Sequence, residues 1–471
     1  MTGSIIDIEP TPPERGIFAN RTLNLRSVRA IGYDMDYTLL HYNVAAWEEA
    51  AFRHACGRLA ERRWPTTDLE FDPNAFSLGL TFDLELGNLV KATRFGYVVR
   101  AQHGATMLPF EQHRDAYATT VVDLAEDRFE FMNTLFELSR AALWVQLVDV
   151  HDRGRLPGVV SYADLYRAID DALNMSHMEG ALKAEIIDDP DRFLEPDPEI
   201  VQTLIDQRAA GKKLLLITNS DWAYARFMMA YAFDSYCSEG TTWRDLFDLV
   251  IVSANKPRFF ARSDQFHRIV DEQNGLMAPH QGPLEPGSVY FGGNAKLVED
   301  SLEIAGSQLL YVGDHLFGDV HVSKDVLRWR TALIARELED EIRDAIDFAP
   351  REQELEALMS HKIEVDRRQA QLRMARLRRQ TGAKRQLEEV TRDAISLDRQ
   401  IAPLAEAAAD LGHSAWGPLM RAGNDKSLLA RQVERYADIY TSRVSNFLAR
   451  TPYAYLRSPR GSLPHDACPR S

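Results

Sequence analysis

Four short strand-like runs constrain this chain more than any other feature. Val28–Tyr33, Leu214–Ile217, Leu249–Val252 and Leu309–Val312 are β-rich, largely apolar, and each stops at a polar cluster. Continuous runs of this kind suit strands covered on both faces, as in a parallel sheet. Helical patterns lie between some of them. In "DPEIVQTLIDQRAAGKK" (197–213) the apolar residues Ile200, Val201, Leu204 and Ile205 recur at helical spacing, and Gly211 ends the pattern. The alternation predicts a doubly wound α/β fold with right-handed crossovers. Ligands of such sheets bind outside the carboxyl ends of the strands, and Asp34, Thr218 and Asp314 fall at those ends.

The stretch 44–190 between the first and second runs is far longer than one crossover requires. An inserted domain is the economical reading, with helices near 44–63 and 161–174 and strands near 80–100. Residues 1–43 then hold the first core strand, 44–190 a cap and 191–350 the rest of the core. Residues 351–471 form a helical extension packed on it. Leu387, Val390, Ala394, Leu397, Ile401 and Leu404 recur as a heptad seam, and Gly382 separates them from an Arg-rich helix upstream. The seam is expected to support self-association or to pack onto the chain's own core. The run of Arg367, Arg368, Arg373, Arg376, Arg378 and Arg379 reads as a solvated helix face. The last stretch, from "SLLARQVERYADIY" onward, reads as one further helix ending before Pro452.

A net charge of −15 excludes broad nucleic-acid binding, which needs a basic footprint. The cysteines Cys56, Cys237 and Cys468 lack metal-type spacing and fit reduced thiols. No window has the apolar length of a membrane span. A soluble, cytoplasmic protein is expected, with no membrane and no nucleic-acid partner.

"IGYDMDYTLLHY" (31–42) places Asp34 and Asp36 on either side of a single residue at a strand end. Carboxylates this close repel unless a cation joins them. A third acid, Asp314, and a fourth, Asp319, follow a distant strand in "LLYVGDHLFGD" (309–319). Such an oxygen-rich set suits Mg²⁺. With the ion present, Asp34 can stay ionised as a nucleophile toward phosphorus, and Asp36 can act as acid and then base. Thr218, Asn219 and Ser220 can hold phosphate oxygens, and Lys256 supplies a positive charge. His41 and His315 read as packing groups. Each motif alone is common; all four in this order are not.

Together these motifs resemble those of the haloacid dehalogenase (HAD) superfamily. The wider set of "GYDMDYTL", "NTLFEL" (133–138), "TNSDW", "KPRFF", "YVGDHLFGD" and "SLLARQVERYADIY" resembles the cytosolic purine 5′-nucleotidase family and its bacterial relatives. The resemblance implies a Rossmann-like core with a cap inserted after the first motif, and Mg²⁺-dependent hydrolysis of nucleoside 5′-monophosphates. Because alcohols as well as water can intercept an aspartyl-phosphate, transfer to a nucleoside acceptor is open to the same chemistry. Asp34 would be nucleophile and metal ligand, and Asp36 acid/base and a metal ligand through its carbonyl. Thr218 and Lys256 would hold phosphate; Asp314 would bind metal with Asp319 in support. Phe136 would stack on the base, and His177 aligns on the cap helix 166–180. That helix carries Asp170, Asn174 and Met178 where purine-specific members have an Arg, an Asp and a Tyr. A phosphatase for another small phosphomonoester, or a scaffold without turnover, is the alternative.

Overall fold

The strand-like runs lie side by side in the computed structural model, which describes residues 11–178 and 180–461. Seven strands form the middle of a ten-stranded sheet. They are β1 (Ala30–Tyr33), β2 (Lys213–Ile217), β3 (Leu249–Val252), β4 (Ser288–Gly292), β5 (Leu309–Gly313), β6 (Arg330–Ile334) and β7 (Ile439–Thr441). Their order is β7-β6-β5-β1-β2-β3-β4, parallel throughout. Antiparallel strands close the edges: Phe18–Ala19 beside β7, and the hairpin Phe266–Asp271/Leu276–Pro279 beside β4.

The strands lack polar alternation because both faces are buried. Leu214, Leu216, Val250, Val252, Leu310 and Val312 enter one apolar cluster, while Leu215, Ile217, Leu249, Ile251, Leu309 and Tyr311 enter another. From β4 at one side, the chain returns to β5 on the far side of β1. The topological switch therefore falls between β1 and β5, and a crevice opens at their carboxyl ends. Only glycine fits at position 32, where a Cβ would stand 2.9 Å from the Tyr311 ring of β5.

Two short strands, His41–Tyr42 and Leu194–Glu195, pair antiparallel where the chain leaves and re-enters this layer. Between them lie α1 (Val44–Glu61), a five-stranded antiparallel sheet, α2 (Leu138–Asp152) and α3 (Tyr162–Met178). The sequence reading did not find α2. It buries Leu138, Ala141, Leu143, Trp144, Val145 and Leu147 around its circumference, so it shows no amphipathic stripe.

Asp197 anchors the return from this segment. Its Oδ1 accepts the Glu199 N–H at 3.1 Å, capping the helix Pro198–Ala209. Its Oδ2 accepts the Ser445 hydroxyl at 2.6 Å and lies 3.6 Å from the His41 ring. Burial pushes the carboxyl pKa up, but the nearby His41 ring and the Ser445 hydrogen bond outweigh it and leave the group at about 2. A folded pKa below the ordinary value means this stabilisation is present above about pH 4 and disappears as pH falls through about 2. Asp197→Asn is expected to cost ~1–2 kcal/mol at neutral pH and to flatten acid unfolding between those limits, read by circular dichroism. Identical acid limbs for the two proteins would contradict this.

The helical extension differs from expectation twice. First, α4 (Leu338–Leu377) starts well before 351 and continues through Pro350, with Leu338 and Phe348 buried. It pairs with α5 (Ala383–Ala409), where Leu387, Val390, Ala394 and Leu397 are buried within this one chain and Ile401 and Leu404 are half-buried. Second, the final stretch is not one helix. It folds as α6 (Leu428–Tyr436), strand β7 and a short helix at Asn446–Arg450. The cause is Asp438, whose carboxylate accepts the Thr331 N–H at 3.1 Å and lies 2.8 and 3.0 Å from Lys324 and Arg330. These bonds draw Ile439-Tyr440-Thr441, good strand formers, into the sheet beside β6.

Among the described residues, no helix is long and apolar enough to cross a membrane. Cys56 and Cys237 are free thiols; Cys468 lies outside the described residues.

Candidate active site

β1 ends in a tight turn in which the Leu39 and Leu40 N–H groups both donate to the Met35 carbonyl, with Tyr37 in left-handed backbone (φ 52°). The Asp34 N–H donates to the Val312 carbonyl of β5 at 2.9 Å, so the two strand ends are joined. Asp34, Asp36, Phe136, Lys256, Asp314 and Asp319 line one cleft of about 630 Å³ at this point.

Lys256 organises its floor. The ammonium lies 2.7 Å from Asp34 Oδ2 and 2.8 Å from Asp319 Oδ1, and donates to the Tyr311 hydroxyl at 3.1 Å. Burial works against its charge, but the attraction of Asp319 and Asp34 prevails and holds its pKa well above the usual lysine range. Asp319 reaches the ammonium because residue 313 is glycine. A Cβ at that position would stand 2.6 Å from Asp319 Oδ2.

Oxygens of Asp34, Asp314 and Asp319 lie within 4.8 Å of one another. Burial is the main reason that Asp34 is pushed well above the ordinary carboxylate range, with Asp319, Asp314 and Asp36 adding to it against Lys256. Asp314 is driven to about 8 by burial and then by Asp319, although its Oδ2 accepts the Thr134 hydroxyl at 3.0 Å. One ammonium does not balance this crowding. A hard divalent cation would, and the all-oxygen donor set fits Mg²⁺.

Asp36 stands apart from that trio. Its Oδ1 accepts the Tyr42 hydroxyl at 2.6 Å and its Oδ2 the Ser220 hydroxyl at 2.8 Å. Burial raises its pKa, and those two donors oppose the rise. The carboxyl is thus aimed and held by the protein, separate from the oxygens that would take a metal.

The other expected residues divide. Asn219 lines the cleft, but its amide is engaged with the lysine loop: Nδ2 donates to the Lys256 carbonyl at 3.1 Å and Oδ1 accepts the Lys256 N–H at 2.6 Å. Ser220 holds Asp36. Thr218 is fully buried behind the wall, its Oγ1 accepting the Ser220 N–H at 3.0 Å. Phe136 packs edge-on against Tyr37 at 4.5 Å and Trp47 at 5.4 Å. His315 Nδ1 accepts the Gly318 N–H at 2.7 Å, a turn-holding role. His177 falls on α3, but its side chain, like that of Met178, lies outside the described residues.

Sequence reasoning missed Arg140 on α2. Its guanidinium lies 2.6 Å from both Glu137 and Asp170, and Asn174 donates to the same Asp170 at 3.0 Å. Glu137, Arg140 and Asn174 line the cleft together with Phe136, and Glu137, Arg140 and Asp170 border a second cavity of about 760 Å³. The signal was present, since Arg140 lies one helical turn beyond Phe136, but it needed α2 to be recognised. Thr134, two residues before Phe136, was overlooked as well.

Asp34 paired with Lys256, an Asp36 held separately and Asp314 and Asp319 close by, all at the switch point of a parallel sheet, form the arrangement expected of a phosphohydrolase core of the haloacid dehalogenase type. Comparison with known proteins agrees at the level of family. The chain matches the 5′ nucleotidase family over residues 17–468 and belongs to it, a family of phosphoric monoester hydrolases. A 5′-nucleotidase domain-containing protein of Dictyostelium discoideum is 27% identical over 98% of this chain and 77% of its own length. The human 5′-nucleotidase domain-containing protein 2 is 33% identical over 69% of this chain and 64% of its own length. Among solved structures, CbbY from Rhodobacter sphaeroides with phosphate is 14% identical, covering 65% of this chain and 86% of that one with a TM-score of 0.26. A 2-haloacid dehalogenase from Pseudomonas syringae is 13% identical, with the same coverages and a TM-score of 0.21. Neither score supports an argument, so the fold rests on the strand order above.

Proposed function

We propose that this protein is a Mg²⁺-dependent 5′-nucleotidase that hydrolyses nucleoside 5′-monophosphates through an aspartyl-phosphate on Asp34. The observation that carries the reading is the Lys256 ammonium clamped between Asp34 and Asp319, with Asp314 within reach and Asp36 held separately. Asp34, Asp314 and Asp319, with the Asp36 carbonyl, would hold the ion, which supplies positive charge to the phosphoryl oxygens.

The Met35 N–H and Lys256 fix the Asp34 carboxylate from two sides, so one of its oxygens can meet phosphorus in line. As the bond from Asp34 to phosphorus forms, the bond to the nucleoside 5′ oxygen breaks. Asp36 gives its proton to that leaving oxygen, then takes one from the water that attacks the aspartyl-phosphate. The phosphorus–Asp34 bond breaks, inorganic phosphate leaves, and Asp36 is protonated again. A nucleoside hydroxyl in place of that water would give phosphotransfer. Phe136 offers a ring to the base, and Arg140 and Asn174, both held by Asp170, border the same cleft.

Phosphate release across a panel of nucleoside 5′-monophosphates and sugar phosphates tests this. Nucleotides are expected to lead by at least ~10-fold in kcat/KM, equivalent to about 1.4 kcal/mol of differential binding. Chelator should silence the enzyme and added Mg²⁺ restore it. Equal rates on sugar phosphates would remove the nucleotide assignment; full activity in chelator would remove the metal.

A further inference from the structure

The arm made by α4 and α5 leaves the body at Pro350. Phe348 is buried, whereas from 351 to 409 the buried residues are Ala383, Leu387, Val390, Ala394 and Leu397, all on α5 along its seam with α4. The part of α4 beyond Pro350 is about 40 Å long at 1.5 Å per residue.

A second apolar stripe on α4 faces solvent. It consists of Met359, Ile363, Ala370, Met374 and Leu377, with Ile363 and Leu377 64% and 73% exposed. At 100° per residue these five positions fall within about 60° of arc. Spacings of four, seven, four and three residues make this a heptad seam lying open beside the closed one.

Charge along the arm is sharply divided. The tip, residues 367–387, carries eight Lys and Arg and no Asp or Glu. The shaft flanking it, 351–366 and 388–410, carries eleven acidic residues against four basic, net −7. Arg367 and Arg385 pair within the arm with Glu364 and Glu389. Arg376, Arg378 and Arg379 are exposed and have no ion pair among the described residues.

We propose that a second copy of this chain covers the stripe, arm against arm and antiparallel, giving a two-fold dimer. Centred near residue 368, such a pair lays each basic tip on the acidic shaft of the other copy and brings Met359 opposite Leu377. The arrangement is isologous, so both contacts form twice. A parallel pair would instead stack two tips of eight cations each. A nucleic acid would satisfy the tip and leave the stripe bare. An anionic membrane would meet Glu352, Glu356, Glu364 and Asp366 beside the stripe and be repelled by them.

Analytical ultracentrifugation of the full chain is expected to show a dimer. Ile363→Asp with Leu377→Asp should give a monomer with unchanged phosphatase activity and unfolding midpoint, since both side chains are exposed and remote from the cleft. For orientation, a mixture of Met359→Cys and Leu377→Cys chains should form an intermolecular disulfide under mild oxidation more readily than either chain alone. A monomer at every loading concentration would overturn the proposal, as would a dimer indifferent to the double substitution. So would preferential crosslinking of each variant with itself, or a monomer that binds duplex DNA or anionic vesicles through its tip.

Discussion

Asp34→Asn is expected to abolish phosphate release, lowering kcat by at least ~10³-fold, and to leave the chain folded. The amide keeps the size of the carboxyl and can still accept from the Met35 N–H, which meets Asp34 Oδ1 at 2.7 Å in the native protein. What it lacks is the negative charge and lone-pair strength to attack phosphorus. Stability should not fall in step with activity. Asp34 is one of three carboxyls whose oxygens lie within 4.8 Å of one another, and burial with its acidic neighbours pushes its pKa well up. Replacing it with a neutral group removes repulsion while costing one ion pair with Lys256, so the unfolding midpoint in chelator should be equal to or above the native value. Measured together, kcat and midpoint separate chemistry from folding. Retained turnover in this variant would refute the nucleophile.

Lys256→Met should act in the opposite sense, damaging the fold as well as the reaction. The ammonium side chain is 3% exposed and is the cation closest to both Asp34 and Asp319, at 2.7 and 2.8 Å. Methionine fills a similar volume but leaves two covered carboxylates facing each other. Removing one partner of a buried ion pair costs about 3–5 kcal/mol, because the remaining charge stays desolvated. Magnesium offers partial relief. An ion that binds the folded carboxylates and not the unfolded chain raises stability by RT ln(1 + c/Kd) at free ion concentration c, so tighter binding gives the larger gain. The midpoint gained on adding Mg²⁺ should therefore be larger for Lys256→Met than for the native protein, by differential scanning calorimetry. A variant as stable as the parent in chelator would show that Lys256 is not what balances the floor of the cleft. An equal response to Mg²⁺ would show that the carboxylates are not where the ion binds.

Much of the fold was legible because the central strands announce themselves over a few residues. Ala30–Tyr33 within the first run, and Leu214–Ile217, Leu249–Val252 and Leu309–Val312, lie in strands, and Asp34, Ser220, Lys256 and Asp314 that follow them line the cleft. The misreadings share a cause. α2 is covered on all sides and so lacks a stripe, and the run after Ser427 looked helical until Asp438 found Thr331, Lys324 and Arg330. In both, long-range contacts outweighed a local pattern. Within the site, Thr218, Asn219 and Ser220 were read as a group with one purpose. The structure separates them into a buried prop, a brace for the lysine loop and a donor to Asp36.

The amino-acid sequence alone determined where strands and helices begin along most of the core and which side chains end the strands, because those choices depend on neighbours a few positions away. It also determined the chemistry on offer: carboxylates, hydroxyls and one lysine at four strand ends. Only the tertiary structure decided that Asp34 and Asp314 meet, since that follows from β5 lying beside β1 rather than beside β4. The same holds for Tyr42 reaching Asp36, Thr134 reaching Asp314 and Arg140 closing on Asp170. Each depends on the order in which distant segments stack, and that order is set by the burial of whole faces, which no short stretch of chain encodes.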